Sequence, residues 1–195
     1  MRPRLRAAPR VVVIGCSTGG PQALTQMMKA FPANFPVPIA IVLHIPPGYT
    51  GPLAERLNAD SAIEVLEARE GLELRANRVV LAQAGLHLKL MLAGESIQAT
   101  LDLEPQATVH RPSVDALFES AARSLGSRVL GVVLTGMGDD GLLGARAVVD
   151  AGGEVLTEAE SSCVVYGMPR VVREAGLSAA EAPLERMVAE IVARV

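Results

Sequence analysis

The feature that most constrains the fold is a run of four aliphatic residues at positions 11–14, followed by a glycine-rich turn. Such a run is typical of a strand buried on both faces of a sheet. Gly19 and Gly20 permit a tight reversal of the chain, and Pro21 suits the first turn of a helix. The segment therefore predicts a strand, a turn and a helix in succession, with Ser17 between the strand and the helix.

Ser17 lies where free backbone N–H groups and the positive end of a helix dipole converge. Gly15, Ser17 and Gly19 also match the G-x-S-x-G pattern of a nucleophile elbow. A serine in a turn of this kind is also commonly a helix cap or a phosphate contact. The turn alone therefore leaves catalytic and binding roles open.

Strands and helices alternate along most of the chain. Helices are predicted at 21–30, 52–58, 114–125, 142–150 and 184–195, and strands at 37–43, 78–82, 129–134 and, as the final strand, 154–157. Alternation at this spacing indicates a mainly parallel sheet with helices on both faces, so we expect a three-layer, doubly wound α/β fold. Residues 87–92 and 97–103 instead alternate apolar and polar residues around Gly94, which predicts an antiparallel β-hairpin at the sheet edge or over the sheet.

Composition narrows the classes of function. A net charge of −3 and 3% aromatic residues argue against a nucleic-acid surface. Two cysteines are too few for a disulfide scaffold, which favours an intracellular protein. There is no apolar run of transmembrane length, and the basic residues 1–10 lack the apolar core of a signal peptide. We expect residues 1–10 to be a basic arm or linker and residues 11–195 to be one domain.

Three predicted strands end at polar residues with complementary chemistry: Ser17, His44 and the Asp139-Asp140 pair. In an open parallel sheet, ligands bind beyond the carboxyl ends of the strands. A histidine can remove the serine proton, a carboxylate can fix the imidazole tautomer, and backbone N–H groups can receive an oxyanion. The coincidence of these residues at one rim predicts acyl-transfer chemistry.

Each of these residues also has a simpler explanation. His44 is equally consistent with a hydrogen bond at a strand end, and Asp140 with capping of the helix that follows it. Cys16 is a rival nucleophile. His87 is expected at the hairpin surface. His110 is a rival base, expected near the opposite end of the sheet or in a covering loop because it precedes a helix.

A non-catalytic phosphate- or nucleotide-binding module is the main alternative class. Its signatures fit poorly, because Gly15, Gly19 and Gly20 do not form G-x-G-x-x-G and no lysine follows as in a P-loop. An ordinary α/β-hydrolase needs its histidine after the acid, and no histidine follows residue 110.

Five segments, at 14–21, 44–50, 110–115, 134–141 and 163–169, carry a family resemblance that extends from about residue 11 to residue 176. On these segments the chain resembles the catalytic domain of the chemotaxis protein-glutamate methylesterases of the CheB type. The resemblance implies a serine esterase that hydrolyses glutamate methyl esters on the cytoplasmic part of chemoreceptors and can deamidate glutamines. It places the catalytic triad on Ser17, His44 and Asp140.

The resemblance also implies roles around the triad. The backbone N–H groups of Thr18 and Met137 are candidates for the oxyanion hole. Arg111 is a candidate substrate-binding residue that faces a negatively charged receptor surface, or else a solvated charge before a helix. No cofactor, metal, nucleic acid or membrane insertion is expected, and the location expected is the cytoplasm.

Members of this family commonly carry a receiver domain ahead of the catalytic domain, for which residues 1–10 leave no room. We therefore expect either an excised methylesterase domain over residues 11–195 or a free-standing esterase whose activity does not depend on phosphorylation. A free-standing esterase would serve chemoreceptors or another signalling system. A separate response regulator or receptor-docking protein is a further candidate partner.

Overall fold

Strands and helices alternate around one large sheet in the computed structural model, which describes residues 8–195. The strands are β1 (Val11–Cys16), β2 (Ile39–Leu43), β3 (Glu64–Glu67), β4 (Glu73–Leu74), β5 (Arg78–Leu81), β6 (His87–Ala93), β7 (Ser96–Asp102), β8 (Val129–Val133), β9 (Glu154–Glu158) and β10 (Ala180–Ala182). The helices are α1 (Gly20–Ala30), α2 (Thr50–Ala59), α3 (Val114–Leu125), α4 (Leu142–Asp150), α5 (Met168–Glu174) and α6 (Leu184–Val192).

Seven strands form a parallel sheet in the order β10-β9-β8-β1-β2-β5-β3. The predicted first strand lies in its middle, with Ile14 paired to Ile41 on one side and Val132 on the other. All six residues of β1 are buried. Because the strands run parallel, the loops after β1, β2 and β8 leave the same edge of the sheet.

Helices cover both faces of this sheet. Alternate residues of β1 point to opposite faces, so Val12 and Ile14 pack with α1, α2 and α6, whereas Val11 and Val13 pack with α3, α4 and α5. These two apolar clusters enclose the sheet between helical layers. The three-layer, doubly wound arrangement predicted from the sequence is therefore confirmed.

The predicted hairpin is present as β6 and β7, paired antiparallel from His87 with Asp102 to Ala93 with Ser96. With β4 it forms a separate three-stranded sheet. This small sheet packs against α3, where Ser120 Oγ accepts a hydrogen bond from Leu90 N at 3.0 Å. The hairpin therefore covers a helix and is not part of the main sheet.

Several short elements differ from the prediction. β9 is not the final strand, because β10 pairs with it at the sheet edge. β3 and β4 lie between the predicted helix at 52–58 and the predicted strand at 78–82, where no strand was predicted. The strands β3, β4 and β10 have four residues or fewer and contain glutamates, so their sequences lack a continuous apolar run. The helix α5 was also absent from the prediction, and α6 ends at Val192, three residues before the chain end.

The predicted basic arm lies mostly outside the described residues, which begin at residue 8. Its last residue, Arg10, donates from its backbone N–H to Arg128 O at 2.8 Å and from Nη2 to Glu95 O at 2.6 Å. None of the helices found in residues 8–195 has the length and apolar character needed to cross a membrane.

Candidate active site

Ser17 is held by its backbone while its hydroxyl remains unengaged. Ser17 N donates to Thr135 O at 3.0 Å, and Ser17 O accepts from Gly20 N at 2.7 Å. The residue before α1 is Gly19, which adopts a φ of 87° that favours glycine. Ser17 Oγ has no hydrogen-bond partner among residues 8–195. The hydroxyl is therefore not the cap of α1.

His44 and Asp140 form a hydrogen-bonded pair although 96 positions separate them in the sequence. His44 Nε2 lies 2.7 Å from Asp140 Oδ2, with side-chain exposures of 8% and 11%. His44 N donates to Cys16 O at 3.1 Å, which places this histidine beside the strand end that carries Ser17. His44 Nδ1 is buried and has no partner in the described part of the chain.

The Asp140 carboxylate also binds the N-terminus of α3. Its oxygens accept hydrogen bonds from Ser113 Oγ at 2.9 Å, Val114 N at 2.8 Å and Asp115 N at 2.9 Å. The expectation that Asp140 caps the helix following it is wrong, because the loop turns its carboxylate toward the neighbouring helix. Ser113 caps α3, since its Oγ accepts from Ala116 N.

These contacts favour an ionised Asp140 and set the tautomer of His44. Burial works to raise the pKa of Asp140, but hydrogen bonds from His44 and two backbone N–H groups outweigh it and hold the pKa below its usual range. An ionised carboxylate only accepts hydrogen bonds, so Nε2 of His44 carries the proton. The unpartnered Nδ1 of a neutral imidazole then carries the lone pair.

Asp115 makes the reciprocal contact. Its Oδ1 accepts from Gly141 N at 2.9 Å and Gly144 N at 2.7 Å, at the N-terminus of α4. Burial raises the pKa of Asp115 to about 6. The two helices thus exchange capping carboxylates. Sequence reasoning does not single out Asp115, although an acidic residue in the first turn of a predicted helix is a recognisable signal.

The loop after β8 closely approaches the serine. A Cβ atom at Gly136 would lie 2.8 Å from Ser17 Cβ and 3.1 Å from Ser17 N, so only glycine fits there. Met137, the next residue, and Thr18 are both exposed. Their backbone N–H groups donate to no group within residues 8–195. The two oxyanion candidates therefore flank Ser17 with their N–H groups unused.

His110 lies in a covering loop, one of the two positions expected for it, whereas His87 does not lie at its expected surface position. The His110 ring stacks on the His44 ring, with centroids 3.9 Å apart and planes at 18°. Its placement at the opposite end of the sheet is wrong, because the segment before α3 folds back as the covering loop. His87 is fully buried, and the surface expectation is wrong because this loop covers it. It accepts from Ser113 N at 3.2 Å and donates to Pro105 O at 3.1 Å.

Two pockets flank His110. The larger, about 400 Å³, lies between the covering loop and the start of α4 and includes Asp140 and Leu143. The smaller, about 270 Å³, includes His44 and Arg111. Arg111 is half-buried and donates to Gln106 O at 3.4 Å, so it is not a fully solvated charge.

The remaining candidates are less suited to chemistry. Cys16 is fully buried, and burial, reinforced by the Glu158 carboxylate, raises the pKa of its thiol far above the usual value. No group of three or more potential metal ligands occurs in residues 8–195. Of the predicted residues, the structure brings Ser17, His44 and Asp140 to one rim, with Thr18, Met137 and Arg111 around them.

This fold and site define a class: doubly wound α/β proteins with a serine and a bonded histidine–aspartate pair on strand-end loops. Residues 12–191 match the family model described as CheB methylesterase. The chain belongs to the CheB methylesterase family.

Relatives and a solved structure agree with this assignment. A protein-glutamate methylesterase/protein-glutamine glutaminase of Myxococcus xanthus is 63% identical over 94% of this chain and 53% of the relative. A protein of the same name from Moorella thermoacetica is 50% identical over 99% of this chain and 46% of the relative. The crystal structure of the Thermotoga maritima CheB methylesterase catalytic domain matches with a TM-score of 0.93 and 38% identity, over 97% of this chain and 100% of that one. The chain spans about half the length of the curated relatives it matches.

Proposed function

We propose that this chain hydrolyses glutamate methyl esters in proteins by acyl transfer through Ser17, His44 and Asp140. The observation that carries the proposal is the His44–Asp140 hydrogen bond, which leaves the basic Nδ1 without a partner on a residue whose backbone N–H bonds to Cys16 O, just before Ser17. The Ser17 hydroxyl is partly exposed and unbonded, so rotation about its side chain is unhindered by any hydrogen bond within the described structure. Catalytic hydrogen bonds are often incomplete in the absence of substrate.

In the first step Ser17 Oγ attacks the ester carbonyl as His44 Nδ1 takes its proton. Asp140 stabilises the imidazolium and does not itself become protonated. The negative charge that develops on the carbonyl oxygen is received by the Thr18 and Met137 N–H groups. Collapse of the intermediate breaks the bond to methoxide, which leaves as methanol with the proton from His44.

In the second step the glutamyl ester on Ser17 is hydrolysed. His44 takes a proton from water, the resulting hydroxide attacks the acyl carbon, and the proton returns to Ser17 Oγ. The product is a free glutamate carboxylate. The same route acting on a glutamine side chain releases ammonia, in agreement with the double name of the relatives.

We propose the methylated cytoplasmic segments of chemoreceptors as the substrates and the cytoplasm as the location. Family membership and the printed activity of the relatives support this choice. Arg111, beside His44 in the smaller pocket, is positioned to face the acidic groups around a methylation site. A receptor-docking protein or response regulator remains a proposed additional partner.

Methanol release from a methylated receptor fragment tests the proposal. The wild-type protein should release methanol, and Ser17→Ala should abolish release while the protein stays folded. Cys16→Ala is the matched control, because it changes the adjacent side chain and leaves the hydroxyl in place. Circular dichroism of both variants establishes that the fold is intact.

Two results would contradict the proposal. One is methanol release by Ser17→Ala at the wild-type rate; the other is loss of release in a folded Cys16→Ala protein. Comparing the turnover of a small activated ester with that of the methylated receptor tests the substrate class, since a receptor-specific enzyme should prefer the methylated receptor. A nucleotide-binding module would instead show a melting temperature that rises with added nucleotide.

A further inference from the structure

A buried carboxylate lies beneath the nucleophile loop and takes no part in the chemistry proposed above. Glu158, the last residue of β9, is fully buried. Its Oε2 accepts a hydrogen bond from Thr135 N at 2.8 Å, and its Oε1 accepts one from Ser162 Oγ at 2.9 Å. Burying a carboxylate is costly unless its oxygens accept hydrogen bonds, so these two contacts hold Thr135 N and Ser162 Oγ firmly against Glu158.

Thr135, the residue that Glu158 binds, holds the backbone of the nucleophile loop. Its carbonyl oxygen accepts from Ser17 N at 3.0 Å. Its hydroxyl donates to Thr18 O at 2.9 Å and accepts from Val165 N at 3.0 Å. Thr135 therefore holds the backbone of Ser17 through its carbonyl oxygen and the backbone of Thr18 through its hydroxyl.

Thr135 also determines where the proposed oxyanion donor, the Met137 N–H, lies. Thr135 is followed directly by Gly136, which packs against Ser17, and then by Met137. A shift of Thr135 would move the Met137 N–H together with Ser17. The positions of the nucleophile and of this donor, relative to His44 and the substrate, therefore both depend on how Thr135 is anchored.

We propose that Glu158 is a positioning residue that sets the nucleophile loop and the oxyanion donor through Thr135. The inference rests on the proposed function, since it concerns the geometry of that reaction. Glu158 does not touch the substrate; its contribution is an acceptor that fixes Thr135 N.

This role requires an acceptor rather than a charge. Burial raises the pKa of Glu158, and a proton on Oε1 would point to Ser162 Oγ and leave Oε2 accepting from Thr135 N. Ser162 Oγ already accepts from Leu184 N at 2.9 Å and can donate to Ala159 O at 3.3 Å. A glutamine amide can therefore replace both contacts, whereas leucine can replace neither.

The test compares four variants by kcat and KM for methanol release and by melting temperature. Glu158→Leu should lower kcat by about 10- to 100-fold with little change in KM, because displacing reacting groups slows chemistry without altering the docking surface. Thr135→Val should act in the same direction, since it removes the bonds to Thr18 and Val165. Glu158→Gln should restore kcat to within about threefold of wild type, as expected when the hydrogen bonds are replaced.

Thr157→Val is the matched control. Thr157 is the neighbouring buried residue of β9, and its hydroxyl bonds to Ser178 Oγ at 2.8 Å, away from the site. It should lower the melting temperature without changing kcat. Assays are run well below the lowest melting temperature of the set, and if Glu158→Leu does not fold, Glu158→Met, which likewise offers Thr135 N no oxygen acceptor, takes its place.

Wild-type kcat in a folded Glu158→Leu or Glu158→Met protein would overturn the inference, because neither side chain offers Thr135 N an oxygen acceptor. A Glu158→Gln protein as slow as Glu158→Leu would overturn the acceptor role. Failure of the proposed function is recognised separately, because the wild-type protein itself would then release no methanol.

Discussion

Replacing Asp140 with asparagine tests the coupling between the histidine and the two helix termini. The carboxylate accepts hydrogen bonds from His44, Ser113, Val114 N and Asp115 N. Asparagine keeps the size but removes the charge and offers one oxygen and one NH2 group. In one orientation the NH2 group faces His44 and Val114 N; in the other it faces Asp115 N.

Both orientations lower turnover. When the NH2 group faces His44, Nε2 must accept, the imidazole proton moves to Nδ1, and the base can no longer take the serine proton. When it faces Asp115 N, the imidazolium loses the negative charge that stabilises it. The corresponding change in Ser-His-Asp enzymes lowers kcat about 10⁴-fold, which corresponds to about 5.5 kcal/mol. An unpaired buried donor should also reduce stability by about 1–3 kcal/mol.

The measurement is kcat for methanol release alongside the free energy of unfolding in urea. Asp115→Asn is the control, because its side chain caps α4 through Gly141 N and Gly144 N without touching His44. Asp115→Asn should lose stability but keep turnover close to wild type. Because the expected loss is ~10⁴-fold, a folded Asp140→Asn protein that keeps about a tenth or more of the wild-type kcat would refute the reasoning. Equal loss of turnover in both variants would also refute it.

Three further predictions concern His110 in the covering loop, His87 beneath that loop and Asp115 at the start of α3. Removing the stacked ring with His110→Ala should lower kcat about two- to tenfold, since aromatic contacts contribute about 0.5–1.5 kcal/mol. His110→Phe keeps an aromatic ring and should preserve kcat. Equal kcat in the two variants would contradict this prediction. Burial lowers the pKa of His87, so the unfolded state binds a proton first, and the wild-type free energy of unfolding should fall as the pH drops below about 6.5. His87→Gln should show a smaller fall in urea titrations, and parallel curves would be evidence against this. Burial raises the pKa of Asp115 to about 6, so between about pH 4 and 6 the folded state retains a proton that the unfolded state has lost. The wild type should therefore lose stability relative to Asp115→Asn as the pH rises from about 4 to 6. A difference in unfolding free energy that stays constant with pH would contradict this prediction.

The sequence was sufficient for the central strand, the glycine turn and the edge of the sheet that carries the site. These follow from local patterns, since residues 11–14 have the pattern of a strand buried on both faces and the positions after β1, β2 and β8 share one edge. The meeting of His44 with Asp140 at that edge needs only the strand order. Strand order and direction therefore determine the approximate position of these side chains.

Contacts between elements distant in sequence escaped prediction. Which helix Asp140 caps depends on the packing of α3 beside α4, and the stacking of His110 on His44 depends on the path of the covering loop. His87 appears at a hairpin start, where sequence alone cannot reveal a loop above it. The edge strands were missed because main-chain pairing, rather than apolar side chains, defines them.

The exchange of carboxylates between α3 and α4 has a consequence for engineering. A segment containing Asp140 cannot be grafted onto another scaffold alone, because its carboxylate is oriented by residues 113–115 and its own helix is closed by Asp115. Residues 113–115 and 140–144 form a reciprocal unit, and a chimaera that divides them would leave both helix ends open and the histidine without its acceptor. Recombination points between homologous domains belong outside this pair.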